Sequence, residues 1–140
     1  MTRGRNPRTP DSGTPFEFLL EGGRVIDGSG SEPYAADVGV LAGKITAIGD
    51  LGGARAVRTI DATGLYIVPG FIDMHTHAER GLPYSELAGS VHHLKQGVTT
   101  VLGGADGYGA WAIGASIDGL VEQVSRQGIG TNAALMVGLG

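Results

Sequence analysis

The sequence contains no cysteine. Disulfides and thiolate metal sites are therefore excluded, and any metal would have to rest on nitrogen and oxygen donors. No apolar run approaches the roughly 18 residues that a membrane-spanning helix requires, and residues 1–15 lack the apolar core of a secretory signal. Together these features fit a cytoplasmic protein with no membrane partner. Charge is sparse, at 17% of residues with a formal net charge of −4, and it forms neither a basic patch nor an acidic tail. Nucleic acid is therefore not an expected partner. Two catalytic signatures are missing as well. There is no G-x-S-x-G nucleophile elbow. The Gly-rich stretch from Gly103 to Gly109 lacks the lysine and hydroxyl of a phosphate-binding loop and does not follow G-x-G-x-x-G spacing.

What the chain has in excess is glycine, 26 residues without collagen periodicity, which implies many tight turns and close backbone approaches. A hydrophobic fraction of 41% suits a buried core. With 140 residues, however, the chain falls short of the about 250 that a closed eight-stranded α/β barrel typically takes.

Residues 1–15 carry three Arg and three Pro and almost no apolar side chain, and they read as a disordered leader. Residues 16–66 read as a small all-β module. FEFLLEGGRVIDG predicts a hairpin about Gly22-Gly23, Gly28 to Pro33 a loop, Ala36–Val40 and Lys44–Gly49 two strands about Ala42-Gly43, and Arg58–Asp61 a further strand. So small a sheet is expected to pack on something else. Residues 67–140 change pattern. A short buried strand at Phe71–Met74 leads to a helix over 85–96, with Ser85 as N-cap, Leu87, Val91 and Leu94 on one face, and Gly97 as stop. There follow a β-branched strand at Val98–Leu102, a loop over 103–115, a helix over 116–127 ending at Gly128, and a buried run over 132–137. Alternation of strand and helix predicts an α/β fold with parallel pairing and right-handed crossovers, the opening of an α/β barrel or of an open doubly wound sheet. Three strands cannot close a barrel, so a chain ending at Gly140 is expected to be the N-terminal part of a longer protein, or a truncated product, with apolar faces left open.

The chemistry is concentrated in Val68-Pro69-Gly70-Phe71-Ile72-Asp73-Met74-His75-Thr76-His77. Side chains at i and i+2 of a strand share a face, so His75 and His77 would aim at one point at the strand's end, making half of a metal site. The pair could also be two unrelated histidines. In a parallel α/β barrel the strand C-termini form the active face. The loop after the second strand would deliver Asp106 there, among glycines, as a third ligand for a hard or borderline cation or as a loop-stabilising carboxylate. Asp73 either orients an imidazole from behind or caps the strand end. His92 and His93, on the crossover helix, read as surface or packing residues. Lys95, Arg80 and Glu79 read as solvated, with Glu79 and Arg80 near the mouth, and Tyr108 and Trp111 as loop anchors or acyl-group contacts.

IDATGLYIVPGFIDMHTH resembles the first barrel strand of the amidohydrolase superfamily, metal-dependent hydrolases that include dihydroorotases, hydantoinases and D-aminoacylases. Gln96-Gly97-Val98-Thr99-Thr100-Val101 before Gly104-Ala105-Asp106-Gly107 resembles the N-acyl-D-amino-acid deacylase branch, with Asp106 standing where that branch has a metal-binding cysteine. The resemblance implies a small β-sandwich, whose N-terminal portion is residues 16–66, beside a (β/α)8 barrel whose first three strands and two helices are residues 67–140. It also implies zinc or another divalent ion as cofactor, held here by His75, His77 and Asp106, and a small-molecule N-acyl amino acid or related amide as substrate. A carboxylate in place of the thiolate makes the site harder and bears on which metal it holds. The family's general base is an aspartate on a late strand and its remaining histidine ligands come from mid-barrel. The base is therefore expected beyond Gly140, no catalytic residue is expected within residues 1–140, and this segment alone is expected to be inactive. Leu139 stands where relatives often have a histidine. A cyclic-amide hydrolase and a non-catalytic homologue remain alternative readings, and a homo-oligomer remains open.

Overall fold

The computed structural model describes residues 14–107 and 116–136. The expected leader therefore falls almost wholly outside the described residues, as do Tyr108, Trp111, Leu139 and Gly140. The expectation that the general base lies beyond Gly140 accordingly concerns sequence outside the described residues, and the structure does not bear on it. Among the described residues no helix is long and apolar enough to cross a membrane. Two compact units divide between Pro69 and Gly70.

The first unit is all β. Strands β1 (Phe16–Glu21), β4 (Asp37–Leu41), β5 (Lys44–Gly49) and β6 (Ala56–Asp61) form one sheet in the order β5-β4-β1-β6, and β2 (Arg24–Val25), β3 (Tyr34–Ala35) and β7 (Tyr66–Ile67) form a second in the order β3-β2-β7. The β4–β5 hairpin about Ala42-Gly43 is formed as its sequence predicts, antiparallel with Val38 opposite Ile48. The hairpin expected about Gly22-Gly23 is not. β1 pairs parallel with β6 and β2 pairs parallel with β7, so at Gly22-Gly23 the chain passes from one sheet to the other instead of reversing. Gly22 adopts φ 75°, its N–H donates to Asp37 Oδ1 at 2.9 Å, and a side chain on Gly23 would meet Ile67 Cδ1 at 2.6 Å. Two glycines here serve a crossing with close packing, which a local turn signal cannot distinguish from a reversal. Phe16, Leu19, Ala47 and Leu51 make one buried cluster, and Val25, Ala36 and Val38 make another, against which Leu20, Ile48 and Ile67 pack.

The second unit has three parallel strands, β8 (Phe71–Asp73), β9 (Val98–Gly103) and β10 (Asn132–Leu135), in the order β10-β9-β8. Between β8 and β9 the expected single helix is two short ones, α1 (Ser85–Ala88) and α2 (Val91–Leu94), separated at Ser90, which takes a left-handed φ of 47°. Tyr84, not Ser85, occupies the N-cap of α1, without a capping side-chain bond. The break has a tertiary cause: Gly130 packs so closely on Gly89 that no side chain fits there, and its N–H donates to the Ala88 carbonyl. Between β9 and β10, α3 (Ile117–Gln127) runs as its periodicity predicts, with the Ser116 hydroxyl accepting from Gly119 N–H and Gly128 ending it at φ 77°. The strands expected to be buried are open: Phe71, Ile72 and Met74 are 57–65% exposed, and most of β10 is exposed. An apolar strand is buried only where another layer covers it, and the described residues leave more than half of each of Phe71, Ile72 and Met74 uncovered.

Candidate metal centre

The pleat of β8 does not itself carry the two histidines, because the strand ends at Asp73 and His75 and His77 lie just beyond it. Their convergence is arranged by the residue between them. Thr76 is buried, donates both its N–H (3.0 Å) and its hydroxyl (3.1 Å) to the Leu102 carbonyl at the end of β9, and accepts from Ala78 N–H at 3.2 Å. With the central residue turned inward and pinned, its two neighbours turn outward together. Asp73 Oδ1 accepts from the main-chain N–H of His75 at 3.1 Å, so its contact with the histidine runs through the backbone and not through the ring.

Asp106 arrives from the other side. It sits in a 3₁₀ turn after β9 with φ 61° and ψ 24°, a left-handed conformation that Asp tolerates better than most residues. The turn brings Asp106 Oδ2 to 3.2 Å from His75 Nε2 and 3.7 Å from His77 Nε2. The imidazoles stand edge to face, with centroids 6.1 Å apart. One ligand atom from each of the three residues lies within 4.8 Å of the others, on an exposed face at the C-terminal ends of two adjacent parallel strands. Donors spaced at about 3.3 Å are what a tetrahedral ion with bonds of about 2.0–2.1 Å imposes, and the 3.2 and 3.7 Å separations lie close to that value. Two imidazole nitrogens and a carboxylate oxygen suit zinc or a similar borderline cation.

Sequence reasoning missed Glu79. Expected to be solvated, it is 1% exposed. A 3₁₀ turn at Ala78–Arg80 folds it back beneath His77, where Oε1 lies 3.5 Å from Nδ1 and Oε2 accepts from Gly104 N–H at 3.1 Å. Arg80 Nε is 4.0 Å from the same Oε1. The signal was the Gly103-Gly104 pair: a Cβ on Gly103 would stand 2.7 Å from Glu79 Oε2, and one on Gly104, at φ 81°, would stand 2.6 Å from the Met136 carbonyl oxygen. The glycines announce a close approach but do not say by what. His92 and His93 lie on α2 with rings 4.1 Å apart, outside the cluster.

A sequence profile described as the Amidohydrolase family matches residues 58–122. A D-aminoacylase from Alcaligenes xylosoxydans xylosoxydans is 46% identical over 90 residues, 64% of this chain and 18% of that protein. A dihydroorotase from Trichlorobacter lovleyi is 42% identical over 90 residues, 61% of this chain and 21% of that protein. The crystal structure of N-acyl-D-glutamate deacylase from Bordetella bronchiseptica, complexed with zinc and a phosphonate mimic of the tetrahedral intermediate, superposes with a TM-score of 0.79 at 31% identity, over 89% of this chain and 30% of that one. The chain thus spans about a fifth of the length of the curated relatives it matches. The His-x-His segment and the Asp106 loop both lie inside the span that matches the Amidohydrolase family, and over that span the chain is similar to D-aminoacylases and related deacylases.

Proposed function

We propose that residues 67–140 supply the first three strands of a (β/α)8 barrel, that His75, His77 and Asp106 are ligands to a zinc ion, and that the complete protein removes the acyl group from N-acyl-D-amino acids. The observation that carries this reading is the convergence of His75 Nε2, His77 Nε2 and Asp106 Oδ2 from two loops on one face. Support for the substrate class comes from the deacylase superposition over 89% of the chain. A bound zinc ion supplies a water acidified toward neutral pH and polarises an amide carbonyl.

The chain's own residues hold and position. Thr76 pins the ligand loop to the end of β9, Asp73 ties the His75 main chain, and the left-handed Asp106 turns its carboxylate back toward the rings. Exposure of the three donors leaves an open side through which an amide can approach. The general base that moves the proton to the departing amine is assigned, by the family resemblance, to sequence beyond Gly140. Residues 1–140 alone are accordingly proposed to be inactive, and turnover of an N-acetyl-D-amino acid by the refolded, zinc-loaded segment would contradict this.

The test is zinc titration of the metal-stripped chain beside its His77→Ala and Asp106→Asn variants. Saturable uptake by the parent, with affinity reduced more than roughly tenfold in each variant, is expected. Absence of saturable uptake by the parent, or variants that bind as it does, would remove the metal centre. For the substrate, the complete protein is offered an N-acetyl-D-amino acid and dihydroorotate side by side. Zinc-dependent release of free amino acid supports the deacylase, and turnover of dihydroorotate alone replaces it with the cyclic-amide reading.

A further inference from the structure

We infer that Glu79 is a positioning residue that sets the imidazole of His77 and couples the two ligand-bearing loops. A carboxylate buried to 1% exposure is costly unless its lone pairs are used. Oε2 is used: it accepts from Gly104 N–H, two residues before Asp106. Oε1 makes no hydrogen bond among the described residues; Arg80 Nε stands 4.0 Å from it, and nearer still, at 3.5 Å, is His77 Nδ1, the ring nitrogen opposite the one that faces Asp106. A small ring rotation brings Nδ1–H into a bond with Oε1, which fixes the proton on Nδ1 and leaves the Nε2 lone pair for a cation, the arrangement that metal-binding histidines commonly use. The glycine at 103 is the space this carboxylate needs, since any Cβ there would meet Oε2 at 2.7 Å. One side chain thereby joins the loop after β8 to the loop after β9.

The inference rests on the metal-centre reading for its function, so its test includes a readout without metal. Nitrogen–proton correlation spectra of the histidine rings are recorded on the full chain at mildly alkaline pH, with and without zinc, alongside zinc affinities of the parent and of Glu79→Gln and Glu79→Asp. In the parent, His77 is expected to carry its proton on Nδ1 in both states. Glu79→Gln is expected to lose that preference and to bind zinc roughly 10-fold to 100-fold more weakly, with Glu79→Asp recovering part of the loss. A His77 protonated on Nε2 in the metal-free parent, or an unchanged affinity in a folded Glu79→Gln, overturns the inference. A parent that takes up no zinc but keeps the proton on Nδ1 defeats the metal reading and leaves the positioning role standing. If Glu79→Gln does not fold, the parent spectra decide the matter.

Discussion

At the scale of single residues, the arrangement depends on how little space surrounds Glu79. Gly103→Ala places a methyl 2.7 Å from Oε2 and 3.2 Å from the Glu79 Cβ, so the carboxylate must shift and its bond to Gly104 is disturbed. A loss of about 1–3 kcal/mol in unfolding free energy is expected from such overpacking, read by denaturant titration, together with weakened zinc uptake. His75, His77 and Asp106 are brought together by the structure; the spacing points to a shared face for the two histidines, and the family resemblance, more than the spacing, singles out all three as ligands. Glu79 could not be read from sequence. Its sequence position, two after a histidine in a loop, is that of an ordinary solvated acid, and only the missing side chains 24 and 25 positions later give it a buried place. Asp73 shows the reverse case, since it shares the histidines' segment but spends its carboxylate on a main-chain N–H.

At the scale of elements, the segments that were legible carry their own start and stop signals. The α3 helix has a capping hydroxyl at Ser116, an apolar face that buries Leu120 fully, and a glycine at its end. Ser116→Ala is expected to cost about 1 kcal/mol, measured as a lowered unfolding midpoint with helical signal lost first from this element. Elements whose form is set by a distant partner were not legible. The helix expected over 85–96 is interrupted because Gly130 and Thr131 pack against Ala88–Ser90, a contact more than 40 residues away in sequence. The glycine pair at 22–23 carries the chain between sheets because the parallel partners of β1 and β2 are β6 and β7, some 40 positions on. Local propensity encodes neither contact.

At the scale of the whole molecule, the change from strand-only to strand-and-helix patterning was visible in the sequence, as were the parallel order of β8, β9 and β10 and the placing of the chemistry at their C-terminal ends. Burial was not visible in the same way, because hydrophobic runs report what a strand can face and not what it does face. Phe71, Ile72 and Met74 have the composition of an interior strand and stand exposed. The Gly104 amide, held by a carboxylate that belongs to the preceding loop, has a consequence for kinetics. Its replacement of hydrogen by deuterium acts as a local timer, slow while both loops are seated and fast when either lifts. If zinc lengthens that time and Glu79→Gln shortens it, this one proton records the assembly of the centre before any substrate is present.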